Sequence, residues 1–393
     1  MKRIGNKPYT VGLLGLDFES GNLGCGALSY GFSEILGKIN RSHGGDVVGE
    51  VVVYSKISAE TAQRIEQITG AKCTVARLAR NLKFWQQRRD FGKCDFIFDF
   101  TAGDSFADIY GMKRFISRSM TKINAIHSKA VFVMGSQTYG PFEEKASRMV
   151  AGYIIKKSDH VLSRDALSSG LIRELTGREP VETVDVAFAL PYDKTEEKDE
   201  KIRIGFNASG LMWSGGYSGT NQFNLTVDYR KYCCDVIEGL LQMPNVEVHL
   251  IPHVLSEDMT YPDNDLVACK ELAAMYPQVI CAPYFKTPME AKSYLCRMDW
   301  FTGARMHATI GAFSSGVATV PFAYSRKFAG VFDHYDYHNL IDGKTMTTDV
   351  AVEQTLAYVK DRATLKCQVQ QAGVKVSEGV ECLTQQVERI FNL

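Results

Sequence analysis

Short runs of β-branched and aromatic residues alternate along this chain with longer segments that have the apolar spacing of helices. Such nearly continuous apolar runs suit strands that are buried on both faces of a parallel sheet. In the first half the predicted strands are residues 10–16, 47–54, 96–100, 130–135 and 160–163, and the predicted helices include residues 28–40, 62–68 and 145–157. Alternation of strand and helix predicts βαβ units in a doubly wound sheet.

A polar segment divides the chain, because residues 193–200 contain no apolar side chain and predict a solvated linker. Behind it the alternation resumes, with predicted strands at residues 202–206, 246–251, 279–282, 300–303 and 319–324 and helices at 227–241, 291–297 and 307–313. A chain of 393 residues exceeds what one hydrophobic core usually organises. We therefore expect an α/β fold with Rossmann-like domains at residues 1–192 and 201–360.

The last segment, residues 361–393, is expected to form C-terminal helices. Five apolar residues recur there at steps of three and four and form one helical stripe, namely Val376, Val380, Leu383, Val387 and Ile390. In two-domain folds of this kind, a final helix often crosses back onto the first domain. We therefore treat packing of these helices on residues 1–192 as an expectation.

Composition limits the classes of function. Forty-five lysines and arginines balance forty-five acidic residues, which argues against a broad nucleic-acid-binding surface. The ten cysteines include no Cys-x-x-Cys pair, as expected of reduced thiols in the cytosol. No stretch approaches the roughly 20 apolar residues of a membrane span. These features predict a cytoplasmic protein without a transmembrane segment, and they leave transient contact with a membrane surface open.

Several common catalytic and cofactor motifs are missing from the sequence. Gly343-Lys344-Thr345 resembles the end of a P-loop, but His338 stands where the required earlier glycine would be. The glycine-rich turn at residues 21–26 does not spell G-x-G-x-x-G, and no acid follows the second strand to bind a ribose. Neither His-Glu-x-x-His nor Gly-x-Ser-x-Gly occurs. The sequence therefore predicts neither an organic cofactor nor a metal.

The strongest candidate site follows the predicted strand 300–303. Arg305 and His307 come where this strand turns into a helix, and ligands bind at the carboxyl ends of strands in open α/β sheets. Helix N-terminal amides favour anions, arginine offers a planar charged fork, and histidine titrates near neutrality. The alternative is a surface arginine beside a buried histidine with a structural role.

Two further cationic motifs follow strands. Arg326 and Lys327 come after strand 319–324, and Arg164 comes after strand 160–163. We expect these cations to face the same anionic ligand. The alternatives are a basic helix start on the surface and a local ion pair between Arg164 and Asp165.

The first domain adds polar residues at its strand ends. Asp104 and Asp108 are four residues apart, which would put both carboxylates on one helix face, where they would bind acceptor hydroxyls, act as bases or simply cap a helix. Gln137 follows the strand 130–135 and is a candidate hydrogen-bonding ligand. His253 follows the strand 246–251 and is a weaker candidate.

In this order, the motifs resemble those of the polysaccharide pyruvyl transferase family. The motifs that carry the resemblance are Gly21-Asn22-Leu23-Gly24, Gln137-Thr-Tyr-Gly-Pro-Phe142, Ser163-Arg164-Asp165, Arg305-Met-His307 and Tyr324-Ser-Arg-Lys327. The resemblance implies a GT-B-like fold of two facing Rossmann-like domains with an interdomain cleft. It also implies transfer of a pyruvyl group from phosphoenolpyruvate to a sugar of a cell-surface polysaccharide or exopolysaccharide, forming a ketal.

The resemblance also implies roles for particular residues. Arg305, Arg164 and Lys327 become candidate donor-binding residues, and Arg305 and His307 become candidate catalytic residues, with His307 acting as acid or base. We assign Asp104, Asp108, Gln137 and Asn22 to the acceptor, a sugar or a lipid-linked oligosaccharide. The chain departs from the family pattern at Thr101-Ala102-Gly103, where a glycine cluster is usual, and at Gly316-Val317-Ala318, where Gly-x-Pro is usual.

Two other functions fit the same sequence. A GT-B glycosyltransferase with a nucleotide-sugar donor would need a nucleobase pocket, which Tyr284 and Phe285 could supply. A non-catalytic family member would bind a glycan or an anionic metabolite.

Overall fold

The computed structural model describes residues 6–78, 84–195 and 200–393, without the side chains of Phe84, Arg326, Lys327 and Ala329. By internal contacts the chain forms two compact units. The first comprises the described residues up to Glu19 together with Leu28–Ala189 and Glu378–Leu393. The second comprises Ser20–Ala27 and Leu190–Ser377. The predicted linker 193–200 includes residues 196–199, which lie outside the described residues.

The first unit is built on a seven-stranded parallel sheet in the order β3-β2-β1-β4-β5-β6-β7. Its strands are β1 (Tyr9–Leu14), β2 (Val48–Val53), β3 (Lys72–Val75), β4 (Phe96–Asp99), β5 (Val131–Gln137), β6 (His160–Ser163) and β7 (Val181–Glu182). Its helices are α1 (Leu23–Ser42, whose first turn counts with the second unit), α2 (Ala59–Thr69), α3 (Phe84–Phe91), α4 (Met112–Ile126), α5 (Lys145–Lys157) and α6 (Ala166–Thr176), and Val186–Ala189 forms a 3₁₀ turn.

The second unit has a six-stranded parallel sheet in the order β10-β9-β8-β11-β12-β13. Its strands are β8 (Ile202–Asn207), β9 (Val246–Leu250), β10 (Ile280–Cys281), β11 (Trp300–Gly303), β12 (Ala318–Ala323) and β13 (Ile341–Asp342). Its helices are α7 (Gly210–Trp213), α8 (Tyr229–Leu241), α9 (Asp265–Met275), α10 (Pro288–Leu295), α11 (Met306–Ser314), α12 (Arg326–Asp333), α13 (Thr348–Lys360) and α14 (Arg362–Ile390), which ends in the first unit.

The prediction of a doubly wound α/β fold is confirmed. All residues of β4, β5, β11 and β12 are buried, which explains why their sequences read as unbroken apolar runs. The sequence does not predict strands β3, β7 and β13, because they are short, lie at sheet edges and consist mostly of partly buried or exposed residues.

In each sheet, the strand order reverses direction at one point, and crevices for ligands form there. The reversal lies between β1 and β4 in the first unit and between β8 and β11 in the second. Gly303, the last residue of β11, pairs with Asn207, the last residue of β8. Arg305 therefore follows the reversal point of the second sheet by two residues.

The expectation that Asp104 and Asp108 share a helix face is wrong. The segment after β4 is a series of turns, and the next helix begins only at Met112. Thr101, Ala102 and Gly103 take positive φ angles of 42°, 53° and 83°, which no helix can continue through. Two of these three positions carry side chains in a conformation that favours glycine, at the place where the family usually has its glycine cluster.

The last turns of α14 join the core of the first unit. The ring of Phe391 lies 4.8 Å from the ring of Phe96 on β4 and 5.8 Å from that of Tyr9 on β1, measured between centroids. Gly379 allows α14 to pass close to Val184, since a Cβ at this glycine would lie 2.3 Å from a methyl group of that valine. Of the helices described, none is long and apolar enough to cross a membrane.

Candidate active site

Arg305 begins the helix that follows β11. It is the N-cap of α11, with extended backbone angles, and its own N–H donates to Oδ1 of Asn207 over 3.0 Å. Gly303 makes this approach of β8 and β11 close, because a Cβ there would lie 2.5 Å from Cβ of Asn207. The end of β8 thus fixes the start of α11.

The guanidinium of Arg305 binds two carboxylates that the sequence analysis did not single out. Its Nη2 donates to Oδ1 of Asp265 over 2.6 Å, and its Nη1 lies 2.6 Å from Oδ1 of Asp263. Nη2 also reaches the carbonyl of Asp263 at 2.6 Å. In the sequence, Asp263-Asn264-Asp265 is recognisable only as an N-cap motif at the start of α9, which does not indicate that its carboxylates pair with Arg305.

The fully buried carboxylate of Asp265 is shared by several donors. It accepts backbone N–H groups from Gly210 at 2.8 Å, His253 at 2.9 Å and Val254 at 3.0 Å. The side chain of Asn207 donates to the same carboxylate at 3.2 Å. One carboxylate therefore ties together the segments that follow β8, β9 and β11.

The charges around Arg305 do not leave a free cation. Burial by itself would lower the pKa of this guanidinium, but the carboxylates of Asp265 and Asp263 outweigh that effect and raise it. Two carboxylates against one guanidinium leave this group of three residues with a net negative charge. An anionic donor would gain little from Arg305 itself, so we expect this arginine to act chiefly through the residues that it positions.

His307 lies in the first turn of α11, against the start of α1. A Cβ added to Gly24 would lie 2.4 Å from Nδ1 of His307 and 3.0 Å from its Cβ. Only glycine allows the α1 backbone to come this near the imidazole. The two motifs, Gly21–Gly24 and Arg305–His307, therefore meet within the second unit.

The Gly21–Gly24 segment is held by the residues that follow β9. Asn22 forms an antiparallel bridge with Val254, and the Leu23 N–H donates to the His253 carbonyl over 3.0 Å. The side chain of Asn22, which was assigned to the acceptor, accepts the N–H of Gly24 at 3.0 Å. This bond caps the first turn of α1 and gives Asn22 a structural role.

His253 is 4% exposed and is close enough to His307 for the charge of one imidazole to act on the other. Neither of its ring nitrogens has a hydrogen-bond partner within the described part of the chain. Burial, together with the charge of His307, lowers its pKa to about 3; Arg305 acts in the same direction and Asp265 opposes it. His253 is therefore neutral at physiological pH, a buried imidazole whose hydrogen-bonding capacity the described residues do not use.

Lys327 occupies the first turn of α12, directly after the end of β12. Its side chain and that of Arg326 lie outside the described residues. Strand β12 is the neighbour of β11, so α11 and α12 both begin at the same edge of the sheet.

Arg164 is buried in the first unit with a partner of its own. Its Nη1 lies 2.5 Å from Oδ2 of Asp185, and its Nε donates to the hydroxyl of Thr138 over 2.9 Å. The Arg164 side chain is 1% exposed. Asp165, the partner considered from the sequence, lies at 3.9 Å and instead caps α6 through the N–H of Ser168. Donor binding by Arg164 stays a prediction.

The three acceptor candidates of the first unit are not alike. Asp108 accepts the N–H groups of Glu143 and Glu144 at 2.8 and 2.9 Å, which fixes the two residues directly before α5. Burial opposes ionisation of Asp108, but these bonds outweigh it and lower its pKa. Asp104 is half-buried and accepts from the hydroxyl of Tyr110, whereas Gln137 is fully buried and donates to the carbonyl of Asp99. Their roles toward an acceptor stay predictions.

The residues proposed for a nucleobase pocket differ in exposure. Phe285 is 3% exposed and packs in the core, with its ring 5.6 Å from that of Tyr294, while Tyr284 is 57% exposed. Among the described residues there is no group of three or more histidine, cysteine, aspartate or glutamate side chains placed to hold a metal ion.

Solved structures with a similar fold include UDP-N-acetylglucosamine 2-epimerases and lipopolysaccharide glycosyltransferases. A putative UDP-N-acetylglucosamine 2-epimerase from Listeria monocytogenes matches with a TM-score of 0.63 and 10% identity, over 98% of this chain and 97% of that chain. Anabaena Alr3699/HepE, in complex with UDP-glucose, matches with a TM-score of 0.61 and 12% identity, over 98% of this chain and 100% of that chain. WaaG, a glycosyltransferase involved in lipopolysaccharide biosynthesis, matches with a TM-score of 0.50 and 11% identity, over 97% of this chain and 99% of that chain. The chain has the GT-B fold.

The polysaccharide pyruvyl transferase family model matches residues 25–326. The chain belongs to this family and is a transferase. The matched region contains Arg164, Arg305 and His307 and ends one residue before Lys327. No curated protein matches the sequence.

Proposed function

We propose that this transferase moves the pyruvyl group of phosphoenolpyruvate onto two hydroxyls of a sugar, forming a ketal and releasing phosphate. Family membership and the meeting of Gly24, His253 and His307 at one sheet edge support the proposal. The contact between these residues is the main support for the proposal. The reaction needs one group that carries a proton, in a site that excludes water, and the imidazole of His307 is such a group.

The proton balance assigns His307. Protonated His307 gives its proton to the methylene carbon of phosphoenolpyruvate, which becomes a methyl group and leaves the neighbouring carbon electrophilic. The first sugar hydroxyl adds to that carbon and its proton returns to His307. The carbon–oxygen bond to phosphate then breaks, the second hydroxyl adds, and its proton leaves with the phosphate.

His253 and Arg305 receive supporting roles. A histidine with a pKa of about 3 is a weak base, so we assign His253 to hydrogen-bond the substrate rather than to carry the proton. Arg305 holds Asp265, and Asp265 holds the backbone of His253. Because two carboxylates outweigh the single positive charge of Arg305, we assign the phosphate and carboxylate of the donor to Lys327 and to the N-terminal amides of α11.

A glycosyltransferase that uses a nucleotide sugar is the second candidate. The likeness to Anabaena Alr3699/HepE, which was solved with UDP-glucose, supports it. The burial of Phe285 speaks against it, because that ring is packed in the core and is not free to stack on a nucleobase.

Ligand-dependent thermal unfolding separates the two. Phosphoenolpyruvate should raise the melting temperature of the full chain, since a ligand at 100 times its Kd stabilises the folded state by about 2.7 kcal/mol. UDP-glucose and GDP-mannose should leave it unchanged. Stabilisation by a nucleotide sugar alone would favour the glycosyltransferase. The release of inorganic phosphate in the presence of a sugar panel then tests turnover.

A further inference from the structure

The outer faces of α4 and α5 in the first unit carry large apolar side chains in contact with solvent. On α4, Met112 is 37% and Ile116 is 52% exposed, and on α5 Met149 is 70% and Tyr153 is 41% exposed. Within each pair the residues are four apart, so they lie on one face of their helix. Single exposed apolar residues are ordinary, but two ridges of them are not.

The two ridges are neighbours. The hydroxyl of Ser147 on α5 lies 3.8 Å from the sulfur of Met112 on α4. Near the other ends of the helices, Nε2 of His127, which follows α4, lies 2.9 Å from the hydroxyl of Tyr153. The helices therefore run side by side, and we call their outer faces together the α4–α5 surface.

This surface is also strongly basic. Residues 109–157 contain nine lysines and arginines against two glutamates, whereas the whole chain has equal numbers of each sign. Two of the nine do not add free positive charge to the surface, because Lys122 is buried against Asp99 and Arg148 is paired with Glu174 of α6. On α5, Lys145 lies one turn before Met149 and Lys157 one turn after Tyr153, so cations flank the apolar ridge.

We infer that the α4–α5 surface docks on the anionic headgroups of a lipid bilayer. Helices that lie in a bilayer interface combine an apolar ridge with flanking lysines and arginines. The apolar side chains enter the acyl boundary, and each cation near an anionic leaflet contributes an attraction that falls off within a Debye length. A nucleic-acid backbone would attract the lysines and arginines but would leave the apolar side chains of Ile116 and Met149 exposed to water. The inference does not depend on the proposed function.

Co-sedimentation of the purified full chain with lipid vesicles tests this inference. The chain should sediment with vesicles of phosphatidylcholine mixed with phosphatidylglycerol and stay in solution with phosphatidylcholine alone. Met149→Glu and Lys145→Glu should each weaken partitioning about fivefold or more, from roughly 1 kcal/mol per cation or a similar loss of apolar insertion. Met275→Glu is the matched control, since Met275 is an exposed methionine of the second unit, 49% exposed.

Three outcomes would overturn the inference. The first is no sedimentation with anionic vesicles at low salt. The second is equal binding to phosphatidylcholine, which would remove the role of charge. The third is that Met149→Glu binds anionic vesicles as well as the Met275→Glu control does, which would remove the role of the apolar side chains. Binding to duplex DNA in place of vesicles, equal in these two variants, would likewise overturn the inference. Circular dichroism of each variant verifies that these exposed substitutions leave the fold intact.

Discussion

Arg305 and Asp265 form a buried ion pair in which Nη2 of the arginine donates to Oδ1 of the aspartate over 2.6 Å. The same carboxylate accepts the backbone N–H of His253. The arginine of the Arg-x-His motif is thus connected through one aspartate to a second histidine that lies 52 residues earlier in the sequence. The arginine therefore helps to fix the position of the His253 backbone.

Removing Asp265 should be costly. Asp265→Ala leaves the buried guanidinium with Asp263 alone and deprives three backbone N–H groups of their acceptor. Breaking a buried pair by removing one partner costs about 3–5 kcal/mol. Urea unfolding should show this loss. Asp235→Ala, which removes an exposed pair with Lys231, is the control and should change stability little. A similar small change for Asp265→Ala would contradict the structural role.

The position of Arg305 could be predicted from sequence, but its partners could not. A buried strand followed by a glycine and a charged residue marks a strand end, and the structure has that strand at Trp300–Gly303 as expected. Asp263 and Asp265 lie 42 and 40 residues before Arg305, and nothing local indicates that α9 begins beside β11. The pairing depends on the strand order, in which β8 separates β9 from β11.

The error at Asp104 and Asp108 has a different cause. Spacing of four indicates a shared face only where the backbone is helical, and positive φ angles at Thr101–Gly103 turn the chain instead. The partner of Arg164 could not be predicted from the sequence for a similar reason. Its buried partner Asp185 belongs to a later segment, whereas Asp165, its neighbour in the sequence, caps a helix. Apolar periodicity thus predicts the elements, while polar partners depend on tertiary contacts.

Gly24→Ala should damage the site without unfolding the chain. The added methyl would lie 2.4 Å from Nδ1 of His307, so the imidazole must move away or α1 must shift. Overpacking of this kind typically costs about 1–3 kcal/mol. Turnover, measured as phosphate release, should fall while the melting temperature changes modestly. Gly170→Ala in α6 meets nothing within 4 Å and is the control. Full activity of Gly24→Ala would separate His307 from this contact.

The buried, neutral His253 should make stability depend on pH. Its pKa is about 3 in the folded chain and 6.5 when unperturbed, so between these values the unfolded chain binds a proton that the folded chain does not. Stability is therefore lost as pH falls below about 6.5, at about 1.4 kcal/mol per pH unit from this group. Urea unfolding between about pH 6 and pH 4 should show a shallower loss for His253→Gln than for the wild type.

The control for that experiment is the same substitution at an exposed histidine. His338, whose side chain is 70% exposed, should keep the wild-type slope as His338→Gln. The charged groups that act on His253 are His307, Asp265 and Arg305, and all three are unchanged in both variants. Parallel curves for wild type and His253→Gln would mean that His253 is not buried neutral.

The proton that completes the product's methyl group should come through His307. If the enzyme forms a pyruvyl ketal, turnover in heavy water places one solvent-derived deuterium on that methyl, which mass spectrometry of the product detects.

Substitution of His307 tests whether this residue delivers the proton. A positioned general acid is worth roughly 10²–10⁴ in rate. His307→Ala should therefore slow turnover by that factor while keeping phosphoenolpyruvate binding, because we assign the donor's anionic groups to Lys327 and the α11 amides. His307→Gln can still donate a hydrogen bond but cannot carry a proton, so it should not recover the rate. His338→Ala, an exposed histidine, should keep full activity. A product that lacks deuterium would exclude protonation of the methylene carbon, whereas a deuterated product made at the normal rate by His307→Ala would leave the reaction standing and assign the proton to another group.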